Sequence, residues 1–423
     1  MLVFTIVVTP FTSVTLFTLT LSLFLFSELS FIRMQPPSFF FYLDETSFFI
    51  SFIRFFVIFS SYFFSSCTKV SNVTLYVILL FCLGVFISNR LLIVYFFYEA
   101  SLFPILYIIL KWGSYPERSL RSVMLLIYTA VFTLPFIYVV FYIFNTNSSL
   151  SLPLLSLRAT CVNSPLLVTI AFCCFSVKLP IYGLHFWLPM AHVEAPTFGS
   201  IILAGVLLKL GGVGLIRVTL IISLNSLIGF LLSYFMLGLS FVTLICCIQS
   251  DIKRLIAYSS VSHIIVLPPL LVMNTTSRIS AAMIIMLIHG IASPLLFMLV
   301  GTIYSMFSTR QLVFVRGLLL ASPLISFISV MAFLFTLSAP PFPSFVAEIG
   351  FLISAVLVSR YFIPFLLVFC FLSLLYNLNW VRSIIFSNSS PSTYSHSYLY
   401  SSFLPMLVSI LMSVILLPIL AYL

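Results

Sequence analysis

Apolar runs of about twenty residues, separated by short polar breaks, recur along the whole chain. Spans are expected near 3–26, 46–66, 73–88, 91–110, 121–144, 165–189, 197–218, 226–248, 254–273, 279–306, 317–358, 361–381 and 402–421. About 20 apolar residues in helical form cross a bilayer core. Only there, with every backbone polar group bonded internally, is a crossing chain tolerated in lipid. The pattern therefore predicts an all-α polytopic membrane protein with about 13 (13–14) transmembrane helices. The 317–358 run is too long for one straight crossing and contains Ala339-Pro340-Pro341-Phe342-Pro343. Proline removes a helical hydrogen bond, so this run reads as a broken helix or two short ones. The stretches 145–164 and 383–401 are rich in Ser and Asn and read as surface loops. Residues 1–26 are apolar with no basic flank before them, and the first Arg is Arg33. That is too long for a cleavable core, and the segment is read as a retained span.

Composition sharpens the class. Apolar residues make up 62% of the 423 and charged ones 6%, with 48 Phe. A soluble domain carries about a quarter charged residues. Water-soluble enzymes, nucleic-acid binders and disordered chains are thus set aside. The net charge of +10 is spread over loops and span ends, as on a membrane protein. Loops after even-numbered spans carry Lys69, Lys111, Arg118, Arg121, Lys253, Arg254, Arg310, Arg316 and Arg382. Those after odd-numbered spans carry Arg33, Arg90, Arg158, Arg217, Arg278 and Arg360. This bias puts the N-terminus on the positive side, matrix or cytoplasm. The Phe and Leu content fits a T-rich coding sequence of the organelle kind. The eight cysteines include no C-x-x-C spacing and read as packing residues rather than metal or cluster ligands.

The informative charges lie deep within spans. Glu99, Lys178, Lys209, His263 and His289 are central, and Glu348 follows the proline cluster. A charge at the bilayer centre costs at least about 2.5–3.5 kcal/mol, so these groups must face the bundle interior and be paired or neutralised. Carboxylate, ammonium and imidazole groups together have the chemistry of a proton relay. The bland alternative is a set of interhelical staples, which in membranes are more often Ser, Thr, Asn or Gln. Lys178 precedes Leu179-Pro180, and Glu348 follows Pro343, so both stand beside helix breaks of the kind that line transport sites. Lys209-Leu210-Gly211-Gly212-Val213-Gly214 lies inside an apolar span and reads as close helix packing, not a phosphate loop.

Residues 171–217 read AFCCFSVKLPIYGLHFWLPMAHVEAPTFGSIILAGVLLKLGGVGLIR. With FFYEASLFPILYIILKWGSYPER at 96–118, SDIKRLIAYSSVSHI at 250–264 and IHGIASPLLF at 288–297, this resembles the antiporter-like membrane-arm subunits of respiratory complex I. The form at 185–196 is similar to the subunit 4 family of NADH–ubiquinone oxidoreductase rather than to sister subunits 2 and 5. The resemblance covers roughly residues 45–380. It implies two inverted five-helix repeats, each with a discontinuous helix. The implied division is 1–90 for N-terminal helices, 91–250 and 251–381 for the repeats, and 382–423 for a last loop and helix. Glu99 matches the family's membrane glutamate and Lys178 the lysine of its first broken helix. Lys209 matches the central lysine, His263 and His289 the axis histidines, and Glu348 the glutamate of the second broken helix. Met190 stands where the family often has a basic residue, the N-terminal region looks about one helix short, and the 302–316 loop departs from the usual sequence.

What the resemblance implies is a subunit of the proton-translocating NADH:ubiquinone reductase. NADH and ubiquinone would be substrates of the whole complex. Flavin and iron–sulfur clusters would sit on partner subunits, with no cofactor or metal in this chain. Neighbouring antiporter-like subunits 2 and 5 and membrane lipids would be its partners, with no nucleic acid, in the mitochondrial inner membrane. An ion pair of Glu99 and Lys178 that opens and closes would release a proton toward Lys209, His263 and His289, with Glu348 as exit or link. A subunit of a monovalent cation/proton antiporter is the alternative. A multi-pass chemoreceptor and a purely structural arm subunit are the other classes.

Overall fold

A computed structural model describes residues 69–113, 116–158, 164–222, 228–273, 278–340, 342–386, 403 and 405–411. The spans expected over 3–26 and 46–66, and most of that over 402–421, lie outside the described residues.

Among the described residues the regular structure is helical. Helix α1 is Lys69–Ile87. Helices α2 (Leu91–Ala100) and α3 (Leu102–Trp112) form one span with a step at Ser101. Pro104 supplies no N–H to the Ala100 carbonyl, which is why the ladder breaks there. Helices α4 (Arg118–Thr133) and α5 (Phe136–Asn147) form the next span, interrupted before Phe136 by Pro135. Then come α6 (Leu152–Arg158), α7 (Pro165–Ser176) and α8 (Trp187–Glu194). The next crossing is α9 (Thr197–Ile202), a π turn at Leu203–Leu207 and α10 (Leu208–Thr219). Helix α11 is Ile228–Ile248, followed by α12 (Ile252–Ile264) and α13 (Leu267–Val272) in one span. Helix α14 is Arg278–Phe307. The last elements are α15 (Leu318–Ala321), α16 (Pro323–Thr336), α17 (Pro343–Val358) and α18 (Ile363–Val381).

Seven of the described helical segments are long and apolar enough to cross a membrane. The spans expected from 91 to 381 therefore recur with small shifts at their ends. The span expected over 165–189 is broken where Lys178-Leu179-Pro180 predicts a helix break, because Pro180 and the left-handed Gly183 (φ +85°) stop the chain between α7 and α8. One reading needs correction. The polar stretch 145–164 is not a plain loop. Its Leu152 and Leu155 are buried on the bundle, and α6 forms around them. That stretch is also tied to the start of α2, since Leu91 N donates to Leu150 O (3.1 Å) and Leu152 N to Asn89 O (2.8 Å). The same pair of bonds recurs at the start of α12, from Ile252 N to Arg310 O (3.0 Å) and Leu312 N to Ser250 O (2.9 Å). The long run from 317 to 358 is broken as expected, with α16 and α17 separated at the prolines.

Helix α14 is the hub. It packs on α9, α12, α16 and α17, and its apolar window is wholly buried. The glycines at 211, 212 and 214 let α10 lie against its neighbours, since a Cβ on Gly211 would meet Phe175 O at 3.0 Å and one on Gly214 would enter the Phe175 ring. That is the close packing the sequence suggests, and no phosphate loop. Of the six described cysteines, Cys82, Cys174 and Cys246 are buried. Outward faces carry exposed Phe103, Phe141, Phe230, Leu320 and Phe371, as a bundle surrounded by lipid requires.

Candidate functional site

Five of the six sequence-selected ionisable residues stand near an irregularity of the backbone or on the hub helix, and Glu348 lies on α17. Lys178 lies in the turn after α7 and is only 2% exposed. Its Nζ donates to the Tyr98 carbonyl at 2.6 Å, beside the step in α2–α3, and sits 3.2 Å from the centre of the Tyr98 ring. A carbonyl and a ring face are what a buried ammonium needs in place of water, each contributing about 2 kcal/mol. Glu99 is the next residue along. Its Oε1 is buried without a hydrogen-bond partner, and its charge acts on Lys178 and on Tyr95. The lysine thus rests on the backbone beside the glutamate rather than on its carboxylate.

Lys209 follows the π turn by two residues and is 2% exposed. Its Nζ donates to the Ala204 carbonyl at 2.7 Å, inside that turn, and lies 2.8 Å from His289 Nδ1. A π turn leaves backbone groups off the regular ladder, and such turns cluster at functional sites. His289 is buried on α14, and its Nε2 has no partner. His263, on α12, places Nδ1 3.4 Å from Glu348 Oε1 on α17.

A cavity of about 50 Å³ joins these last two groups. His263, His289 and Glu348 line it together, with Ser259, Ser260, Ser293, Thr336, Ser338 and Ser344. Several of these hydroxyls already donate to backbone carbonyls, among them Ser260 to Ala257 O (2.7 Å), Ser293 to His289 O (2.7 Å) and Ser344 to Phe335 O (2.8 Å). Their oxygens are left to accept from the cavity. Space for a water centre starts at about 10–15 Å³, so this volume has room for a few waters beside the titratable groups, within a wall that is mostly apolar.

The six residues therefore form two clusters. Glu99 and Lys178 are one; Lys209, His289, His263 and Glu348 are the other. Among the described residues no hydrogen bond or ion pair joins Lys178 to Lys209. The packed α7–α10 contact lies between them.

Sequence reasoning missed five buried ionisable groups: Lys253, Arg217, His185, His192 and Glu194. Lys253 and Arg217 were placed as loop and span-end charges, yet they are 2% and 5% exposed. Lys253 Nζ donates to Ala195 O (2.6 Å) and Val193 O (3.3 Å), covering the carbonyls at the end of α8. Arg217 donates to Val85 O (2.7 Å) and Phe86 O (2.6 Å) and so holds the end of α1. His185 and His192 are fully buried; the His192 ring has no hydrogen-bond partner, whereas the His185 ring meets the Ile181 backbone. Both stand in the HFWLPMAHVEAP stretch, where the signal was available. No group of three or more metal-ligating side chains occurs among the described residues.

Comparison with known proteins gives a consistent set. A family model described as NADH:quinone oxidoreductase/Mrp antiporter, transmembrane, matches residues 88–375. The NADH-ubiquinone oxidoreductase chain 4 of Struthio camelus is 38% identical over 288 residues, covering 67% of this chain and 63% of that one. That of Albinaria caerulea is 33% identical over 311 residues, covering 73% and 70%. For several vertebrate relatives of this name, the chain spans only 60–63% of their length. A chain in the structure of respiratory complex I from Thermus thermophilus with bound NADH superposes with a TM-score of 0.80 at 21% identity. That likeness covers 88% of this chain and 82% of the other, and it concerns the fold.

Proposed function

Because the chain belongs to the NADH:quinone oxidoreductase/Mrp antiporter transmembrane family, and within it to the relatives named NADH-ubiquinone oxidoreductase chain 4, we propose that it moves protons across the membrane as a subunit of respiratory complex I. In this reading NADH oxidation and ubiquinone reduction take place on other subunits, which carry the flavin and iron–sulfur clusters. This chain sits in the mitochondrial inner membrane between antiporter-like neighbours, subunits 2 and 5. The segments 91–250 and 251–381 act as its two repeats. The paired backbone bonds at the starts of α2 and α12 support that division.

One observation carries the reading. Lys209 is hydrogen-bonded to His289, and His289 shares a cavity with the His263–Glu348 pair. His289, His263 and Glu348 line that cavity and Lys209 bonds to His289, so titratable groups from four helical segments come together in the bundle interior. Staples that merely glued helices would not need a cavity between them.

The steps run as follows. The Lys178 ammonium leaves the Tyr98 carbonyl and ring and closes on Glu99, or returns. The electrostatic field along the bundle changes with each movement. Lys209 in its protonated form gives a proton to His289 Nδ1 across 2.8 Å. His289 hands a proton from Nε2 into the cavity, where water and hydroxyl oxygens carry it to His263 and Glu348. The packed contact between Lys178 and Lys209 makes the first coupling electrostatic rather than a proton hop.

The test is Glu99→Gln, Lys209→Met and Glu348→Gln in the assembled complex, with NADH-driven acidification followed in sealed vesicles. Each variant is expected to lose pumping while NADH oxidation by detergent-solubilised enzyme persists. Unchanged pumping in all three sinks the mechanism. The family also includes Mrp antiporters, and an antiporter subunit would share the same relay. Co-purification with flavin and iron–sulfur proteins, rather than sodium-dependent exchange, separates the two.

A further inference from the structure

Tyr182 lies in the break between α7 and α8, four residues after Lys178, and one face of α11 is shaped around it. Tyr234, Gly238 and Phe241 stand at i, i+4 and i+7 on that helix, the spacing of a single face. The Tyr234 hydroxyl donates to the Tyr182 carbonyl. A Cβ on Gly238 would meet Tyr182 Cβ at 2.6 Å, so only glycine admits the side chain there. The Phe241 ring stacks on the Tyr182 ring, with centres 5.5 Å apart and planes at 21°. The Tyr182 ring also stacks on buried His185, at 5.7 Å and 20°. Covering the break with apolar side chains would not require a hydroxyl aimed at a backbone carbonyl or a glycine beneath a ring.

The break needs such donors. Pro180 brings no N–H to the α7 ladder, and carbonyls freed within a membrane must be bonded by other protein groups. Trp187 Nε1 donates to the Val177 carbonyl at 3.1 Å. Segment 177–182 is therefore held at both ends, by Trp187 at Val177 and by Tyr234 at Tyr182, and Lys178 lies within it. Gly183, at φ +85°, then carries the chain past the Tyr234 hydroxyl, where a Cβ would stand 3.2 Å from that oxygen. What the held segment decides is where the lysine rests. Its Nζ is 2.6 Å from the Tyr98 carbonyl and 3.2 Å from the centre of the Tyr98 ring, with Glu99 the next residue along.

We propose that this face of α11 is a seat for Tyr182 that positions Lys178, which makes Tyr234, Gly238 and Phe241 positioning residues for the proton relay. The seat and the Trp187 clamp hold the backbone of the break still. The swing between Tyr98 and Glu99 is then made by the lysine side chain alone. None of the three seat residues carries the proton. A misplacement of about 1 Å at such a site costs up to about a hundredfold in rate.

The seat rests on the proton-translocation reading above, and the experiment separates the two. Tyr234→Phe removes the donor and keeps the ring. Gly238→Ala puts a methyl about 1 Å inside ordinary carbon contact with Tyr182 Cβ; a Cβ cannot turn aside, so the backbone must move. Phe241→Leu removes the stack, and Phe241→Tyr keeps it. All are made in the assembled complex beside Lys178→Met, and NADH-driven pumping per assembled complex is followed across pH in vesicles. Lys178 faces Tyr98, Glu99, Cys82 and Cys174. A displaced ammonium therefore moves the alkaline edge of the pumping profile, whereas a smaller amount of sound complex leaves the edge in place. Gly238→Ala is expected to slow pumping at least about tenfold and to move that edge. Tyr234→Phe and Phe241→Leu should do so by smaller factors, and Phe241→Tyr should pump as the native complex does. If Lys178→Met is slow while Tyr234→Phe and Gly238→Ala keep the native rate and edge, the seat is wrong and the relay stands. A reduced rate with an unmoved edge overturns the seat as well. If Lys178→Met pumps normally, Lys178 has no part in the relay and the seat falls with it. If Gly238→Ala does not assemble, native pumping by both Tyr234→Phe and Phe241→Leu makes α11 a structural support and overturns the proposal.

Discussion

Replacing Lys209 or its partner His289 should have unequal consequences for stability, although both remove the same hydrogen bond. Lys209 Nζ has two contacts, Ala204 O at 2.7 Å and His289 Nδ1 at 2.8 Å. Lys209→Met leaves the carbonyl and the imidazole nitrogen unpaired, at about 1–3 kcal/mol each. It also stops burying an ammonium, whose effective desolvation penalty is itself several kcal/mol. The two nearly cancel, so this variant should stay within about 2 kcal/mol of the parent. His289→Leu does the reverse. The ammonium remains 2% exposed and keeps one contact of two. Stripping a partner from a buried charge costs about 3–5 kcal/mol. The assay is the yield of assembled complex on native gels together with the temperature at which the purified complex inactivates. His289→Leu should fall well below Lys209→Met on both measures, while both lose pumping. Equal loss, or greater loss in Lys209→Met, would refute the reasoning, because it would mean that Lys209 rests as an uncharged amine.

Two further outcomes are expected. Glu348→Gln should change stability by less than about 1 kcal/mol, since its pair with His263 at 3.4 Å is partly exposed, yet pumping should fall; a variant that assembles poorly would show the pair to be structural. Gly214→Ala drives a methyl into the Phe175 ring and should cost about 1–3 kcal/mol in assembly, with Phe175→Leu restoring it; full assembly of the single variant would show that α7 and α10 are looser than drawn.

Taken alone, the sequence determines the class, most of the spans from 91 to 381 and six of the deep titratable groups. It does so because lipid imposes a length and a polarity that the chain must print residue by residue. The break at Pro340–Pro343 is legible for the same reason, since proline cannot continue a ladder. The tertiary structure alone decides partnership. Nothing in the spacing says that Lys178 rests on the Tyr98 carbonyl rather than on Glu99, that Lys209 meets His289, or that Lys253 and Arg217 turn inward to hold carbonyls. An ammonium on a flexible stem takes whichever carbonyl the packing leaves free, and which one that is depends on breaks in other helices. The same holds for His192. Its place in the chain says only that an imidazole sits before a helix end, whereas its burial against Phe297 arises where α8 and α14 come together.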